Sequence, residues 1–341
     1  MRIRTIKGPA LVATGALLLA ACGDAEGDGD GAEAADGAGG SVTLYTHNDE
    51  DEMQDMVAAA EEATGLDIEY FRASSGELMS RIQSEAPDVG ADMVWGLTHS
   101  STLQAVDQDL VQGHDAEAWG EVPDEFKDTD EGWYGWSYWY NMIGVNTELA
   151  DELDLDPIES WEDLLDPQYE GEIVMPDPRS STTAYLIISS LRQIYGEEET
   201  WDYLEQLDAN VGEYDQSGSG PAEKVARGEY AVAITWDQAV LDRVDEGFPI
   251  EPVIPEEGVG FDLDLAWIFE GAENQQAAET LLDWIGSEEG MQAAAEQRDL
   301  VTHPAVGDDD TDDANFIDYD AQTAADDENE VLDEWIERFG N

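Results

Sequence analysis

Over residues 41–110 the sequence switches three times from an extended apolar run to a helix-spaced one. That order constrains the fold more than any other feature. "SVTLYT" (41–46), "LDIEYF" (66–71) and "ADMVWGL" (91–97) are apolar and β-favouring stretches that read as strands. After the first of them Met53, Met56, Val57 and Ala60 recur at helical spacing, and Gly65 closes the segment. Residues 76–85 and 101–110 read as the second and third helices. Two strands with a helix between them cannot pair as a hairpin. The helix must cross over, which makes the strands parallel neighbours in a helix-covered sheet. The pattern therefore predicts an α/β fold.

The alternation breaks at "GWYGWSYWYNMIGVN" (132–146), a dense aromatic strand long enough to cross between two lobes. Then "SWEDLLDPQYEGEIVMPDP" predicts a short helix, a turn and a strand, and "TTAYLIISSLRQIYG", "ETWDYLEQLDANVG" and "PAEKVARGE" predict helices. "YAVAITW" and "DLDLAWIF" read as strands, with "FPIEPVIPEEG" between them, where Pro252 and Pro255 suit a connection better than a central strand. "NQQAAETLLDWIGS" and "EEGMQAAAEQ" read as helices. Near the C-terminus Val331, Leu332, Trp335, Ile336 and Phe339 share one helical face, which predicts a docked final helix.

The chain carries 82 Asp+Glu against 13 Lys+Arg, a net charge of −69 over 341 residues. Such a surface repels itself at low ionic strength. At molar salt, where the Debye length is about 3 Å, that repulsion largely vanishes. The composition thus points to a high-salt setting and argues against nucleic acid and anionic membrane surfaces as partners. A screened outer surface does not dictate the chemistry of a closed cleft. At the N-terminus, Arg2, Arg4 and Lys7 precede the short apolar run "ALVATGALLLA" and then "LAAC". That is the layout of an export signal. Its end resembles the lipobox of bacterial lipoproteins, which implies a signal peptide over 1–21 and lipidation at Cys22, the only cysteine. The expected location is extracytoplasmic, with membrane attachment through the lipid alone. Residues 23–40 contain only Gly, Ala, Asp, Glu and so form a tether over 22–40.

Three segments place hydroxyls or glycines at a helix start: Ser74-Ser75-Gly76, the run Ser180 to Thr183, and Ser217 to Gly220 followed by Pro221. Free N–H groups and the helix dipole favour an anion at such places. Ordinary capping also explains each of them, and Ser74 with Glu77 is a capping box without any ligand. Thr46 and His47 end the first strand, and Thr98 and His99 end the third, where ligands of open α/β sheets bind. Trp133, Trp136 and Trp139 suit hinge packing better than a sugar platform. No nucleophile-elbow, zinc-hydrolase or phosphate-loop motif stands in the chain. A two-carboxylate hydrolase is the enzymatic alternative, because acids this abundant leave any pair uninformative.

Several stretches in order resemble the extracellular solute-binding proteins of ABC importers, in the ferric-iron, sugar-phosphate and aminoethylphosphonate group. They are "VTLYTHNDEDEMQDMVAAAEEATGLDIEYFRASSGELMSRIQSE", "SWEDLLDPQYEGEIVMPDP", "GPAEKVARGEYAVAI", "PEEG" and "LLDWIGSEEGMQAAAEQ", spanning 41–306. The resemblance implies a type II periplasmic-binding-protein fold, two α/β lobes joined by two crossover strands near 140–145 and 253–262. Lobe 1 would comprise 41–140 plus 260–341, and lobe 2 141–259. It also implies a monomer without cofactor or catalysis, which closes on a small anionic solute and docks on a permease and its ATPase. The ligand candidates are Thr46, His47, Ser75, Gly76, Thr98, His99, Ser181, Thr182, Ser219, Trp236 and Asp237. Ferric-binding relatives carry adjacent tyrosines where this chain has Trp236 and Asp237. Indole does not ligate iron, so a phosphonate or sugar phosphate is the expected ligand and iron, through His47 and Asp237, the alternative. Asp237 could pair with a ligand amine or hydroxyl, beneath Trp236.

Overall fold

The computed structural model describes residues 40–307 and 314–340. The signal peptide, Cys22, residues 22–39 of the tether and most of the acidic 307–315 loop lie outside them. The strands are β1 (Ser41–Thr46), β2 (Asp67–Arg72), β3 (Met93–Thr98), β4 (Lys127–Asp128), β5 (Trp133–Asn146), β6 (Ile173–Pro176), β7 (Val211–Asp215), β8 (Val232–Trp236), β9 (Ile250–Val253) and β10 (Phe261–Ile268). The helices are α1 (Glu50–Thr64), α2 (Ser75–Glu85), α3 (His99–Val106), α4 (Thr147–Leu153), α5 (Thr182–Tyr195), α6 (Glu197–Asp208), α7 (Gly220–Ala226), α8 (Asp237–Asp245), α9 (Gln275–Ile285), α10 (Glu288–Ala295) and α11 (Ala321–Phe339). Among the described residues no helix is long and apolar enough to cross a membrane.

The sheet runs β2-β1-β3-β10-β5-β8-β6-β7. β1 lies parallel to β2 and β3, as the early alternation predicts, and β6 lies parallel to β7 and β8. Antiparallel β5 and β10 join the two parallel groups. The first half of β5 pairs with β10 from Tyr140↔Phe261 to Trp133↔Trp267, and its second half pairs with β8 from Asn141↔Trp236 to Val145↔Val232. One 14-residue strand therefore belongs to both lobes, and its register changes hands at Tyr140 and Asn141. β9 is a short edge strand on β5, with Pro252 opposite Gly144. A proline without an N–H is tolerated there.

Both faces of the first lobe's sheet are covered. Leu44, Met93 and Trp95 pack with Met53, Met56 and Leu281 of α1 and α9, while Tyr45, Val94 and Leu97 pack with Leu78 and Ile82 of α2. Successive strand residues point to opposite faces, so these strands read as continuous apolar runs. The second lobe's core gathers Ile143, Val174, Ile187, Ile188, Trp201, Val232 and Ile234.

Helix α11, which the division at 260–341 assigns to the first lobe, docks against both. Val331 and Trp335 join the second lobe's core, Tyr214 meets Trp335 edge-on at 5.4 Å, and Arg192 pairs with Asp327 at 3.0 Å. Its other side faces α3, where Gln104 Nε2 donates to Glu328 at 2.7 Å. The helix lies against both lobes because its apolar face fits lobe 2 and its buried polar face meets lobe 1.

Candidate functional site

A cleft of about 1400 Å³ opens between the lobes and is lined from both. On the first lobe it begins where β1 ends. Thr46 is fully buried, and its hydroxyl accepts the Asn48 N–H at 3.1 Å. His47 follows, turned into the cleft. Its Nε2 lies 2.8 Å from Asp264 Oδ1 and its Nδ1 lies 2.6 Å from Ser75 Oγ. Ser75 opens α2, one residue after Ser74, whose hydroxyl accepts the Glu77 N–H as the N-cap. The cap and the cleft residue are thus separate side chains.

Asp264, on β10, is buried but not isolated. Ser137 Oγ donates to it at 3.2 Å and Arg298 Nη1 lies at 3.4 Å. Burial pushes its pKa up, but the Arg298 charge, aided by His47 and Ser137, outweighs burial and holds the carboxyl below its usual range. Arg298 donates to both oxygens of Glu52, at 2.6 and 3.1 Å, and sits 5.6 Å from the Trp136 ring and 5.4 Å from that of Trp236. Burial lowers its pKa while Glu52 and Asp264 raise it, and the pair wins.

On the second lobe the cleft wall is the start of α5. Ser181 is the N-cap in extended conformation, and its side chain makes no capping bond. Arg179 clamps the buried carboxylate of Asp177, with Nε 3.0 Å from each oxygen. A Cβ on Gly218 would stand 2.6 Å from Thr183 Oγ1 and 3.2 Å from Ser181 Oγ, so glycine is what lets the 217–219 loop close onto these hydroxyls. Thr235 Oγ1 fixes that loop from below by donating to the Gly218 carbonyl at 2.5 Å. Ser219 lies beside Ser217 (Oγ–Oγ 3.2 Å), and α7 after it spans only seven residues.

Of the candidates, His47, Ser75, Gly76, Ser181, Thr182, Ser219 and Trp236 line the cleft, and Thr46, Thr98, His99 and Asp237 do not. Thr98 is fully buried and its hydroxyl donates to Ser101 Oγ at 3.0 Å. The His99 ring packs on Trp133 with centroids 4.6 Å apart, and burial pushes its pKa down to about 4. Asp237 turns inward at the start of α8, where its Oδ1 accepts the Tyr140 N–H at 3.2 Å and burial pushes its pKa up to about 7. It holds the strand that joins the lobes and offers nothing to a ligand amine. His47 and Asp237 therefore do not converge as an iron pair.

The sequence reading missed the arginines. Three of the chain's 13 Lys and Arg fall at Arg2, Arg4 and Lys7, and five of the other ten (Arg72, Arg81, Arg179, Arg243 and Arg298) line this one cleft. Cations this scarce were themselves the signal that could have found them.

A two-lobed α/β protein with a polar cleft at the crossover strands is a solute-binding architecture. The chain belongs to the bacterial extracellular solute-binding protein family, which it matches over residues 87–326. It is 32% identical over 237 residues to an uncharacterized protein of Haemophilus influenzae, covering 67% of this chain and 68% of that one. It is 26% identical over 246 residues to a probable ABC transporter periplasmic-binding protein, y4fP, of Sinorhizobium fredii, covering 70% and 68%. Its fold superimposes with a TM-score of 0.81 on the periplasmic binding protein AfuA of Actinobacillus pleuropneumoniae, solved with fructose-6-phosphate bound, at 28% identity over 88% of this chain and 99% of that one.

Proposed function

We propose that this protein is the substrate-binding lipoprotein of an ABC importer and that it captures a small organic oxyanion, a sugar phosphate before a phosphonate. The observation that carries the ligand class is the donor wall of the second lobe. The α5 N-terminus lacks a side-chain cap, three hydroxyls stand at it, and Arg179 is fixed beside it. Free N–H groups, the helix dipole and a guanidinium together favour a phosphate-like group. The five cleft arginines add no net positive charge, since eight carboxylates line the cleft with them and each arginine is paired with a carboxylate, so the reading rests on the α5 wall. The fructose-6-phosphate held by AfuA and the transporter role named for the S. fredii relative agree with this reading.

The mechanism is capture by closure. Lobe 1 (41–140 and the strand and helices from 260) and lobe 2 (141–259) turn about the β5 and β9–β10 crossovers, water leaves, and the closed form delivers the ligand to the permease. Lipidation at Cys22 would hold the protein at the membrane, and the surface charge suits molar salt.

Ser75, His47 and Asp264 also form the sequence of a hydrolytic triad, but with the two ring nitrogens exchanged relative to that template. Calorimetric titration in molar KCl with fructose 6-phosphate, 2-aminoethylphosphonate and ferric citrate tests the proposal. Saturable binding of the first without its hydrolysis is expected. Binding of ferric citrate alone, or release of inorganic phosphate, would overturn it.

A further inference from the structure

The bonds around His47 decide which way Ser75 directs its proton. Asp264 is a carboxylate, and a carboxylate only accepts. His47 Nε2, 2.8 Å from it, must therefore carry the hydrogen. When the ring carries no second proton, Nδ1 is an acceptor, and the Ser75 hydroxyl 2.6 Å away donates to it. Ser75 Oγ then faces the cleft it lines with lone pairs alone. An oxyanion has no hydrogen to offer there, so the helix-start serine that the sequence nominates as an anion donor has the opposite polarity. The neighbouring carboxylates, Glu52 and Asp264, hold Arg298 between them. The first lobe thus presents a charge-compensated acceptor at Ser75, which suits a hydroxyl better than an ammonium. The second lobe presents donors: Arg179, the α5 N–H groups and the hydroxyls of Ser181, Thr182 and Thr183.

We propose that the site is bipolar, with the oxyanion held at residues 179–183 and 217–219 and a ligand hydroxyl donating to Ser75, whose acceptor state Asp264 sets through His47. This rests on the reading that the ligand is a small oxyanion, and it narrows that class to hydroxylated phosphate esters in one orientation. Asp264 is a positioning residue, acting on the ligand through two others.

The test is titration calorimetry of the full-length protein in molar KCl, with fructose 6-phosphate, inorganic phosphate and 2-aminoethylphosphonate as probes. Fructose 6-phosphate should bind tightest. In Ser75→Ala its dissociation constant should rise about 2- to 13-fold, the worth of one neutral hydrogen bond, while that of inorganic phosphate stays unchanged. Ser181→Ala should weaken both. In Asp264→Asn the side-chain amide can donate to Nε2, which moves the ring hydrogen to Nδ1 and frees the Ser75 O–H, so selectivity for the ester should fall. Ser75→Ala leaves the buried charges in place and decides the matter if Asp264→Asn does not fold. An equal loss for both anions in Ser75→Ala would mean that Ser75 holds the oxyanion, and no loss for either would mean that it touches no ligand. Either result, or tighter binding of 2-aminoethylphosphonate, overturns the orientation while leaving an oxyanion-binding protein. Failure of all three probes to bind the unaltered protein would overturn both.

Discussion

Asp262 is the place where burial and hydrogen bonding compete most openly, and replacing it with asparagine measures the outcome. It is the second residue of β10, at the second crossover, buried, with Oδ1 accepting the N–H groups of Leu263 at 2.8 Å and His99 at 3.1 Å. Those bonds favour the ionised form. Burial opposes it more strongly, helped by the negative charges of Asp264 and Glu328, and pushes the pKa up to about 8. In the unfolded chain an aspartate titrates near 3.9. Between about pH 4 and pH 8 the native state therefore holds a proton that the unfolded state has lost. Stability falls as pH rises through that window, by about 1.4 kcal/mol per unit. Asparagine keeps the accepting oxygen and has no proton to lose. The difference between Asp262→Asn and the unaltered protein should grow by roughly 4 kcal/mol from pH 5 to pH 8. For a chain of this size that is about 8 °C in Tm in favour of the variant. Thermal melts followed by circular dichroism at fixed molar KCl, both proteins at each pH, provide the measurement, since titrations common to both cancel. A Tm difference that is flat from pH 5 to pH 8 would show that two backbone N–H groups suffice to keep Asp262 ionised, and the argument from burial would fail.

Removing the cleft cation should be costly: Arg298→Met leaves Glu52 and Asp264 without the charge that faces both, and unfolding in urea should report a loss of about 3–5 kcal/mol. Trp335→Ala empties the site where α11 meets the second lobe's core and should cost about 3–5 kcal/mol in the same assay, whereas a floating helix would show almost none. Raising KCl from 0.1 M to 1 M shortens the Debye length from about 10 to about 3 Å and should raise Tm. A flat or falling Tm would mean that surface repulsion does not limit stability at a net charge of −69.

The early β-α alternation was legible because its strands are buried on both faces and its helices carry a clean apolar stripe. The crossover strand was legible through its length and aromatics. Strand β7 was not: "VGEYD" is only partly buried and follows α6 after two residues, so it reads as the tail of that helix. Helix α8 was hidden because Trp236, which ends β8, and Asp237, which opens the helix, look like a strand-end site. What failed for Asp237 is direction. Sequence places it after a strand, but only the turn into α8 aims its carboxylate back at the Tyr140 N–H. Arg298 carries no local signal at all, since its partner Glu52 lies 246 residues away and meets it through the sheet's topology alone.

The acidity and the arginine-lined cleft obey one electrostatic rule at two depths. Carboxylates on the outer surface face mobile salt, which screens them within a few ångströms at molar concentration. A guanidinium such as Arg298, with 11% of its side chain exposed, meets little of that salt, and its ion pairs keep their strength. Within the cleft Arg298 is such a cation, while Arg72, Arg81 and Arg179, which also line it, keep 39%, 39% and 48% of their side chains exposed. All five cations lining the cleft are arginines, whereas Lys127 and Lys224 are not among its lining residues. Arginine stays charged when buried and binds carboxylates in forked geometry, as Arg298 does on Glu52. A lysine in the same surroundings would lose its proton more readily and with it the balance that keeps Asp264 ionised. Ionisation of Asp264 in turn holds the ring hydrogen of His47 on Nε2 and makes Ser75 an acceptor. The polarity of one serine in the cleft thus depends, through Asp264 and His47, on an arginine that the acidic composition of the chain makes easy to overlook.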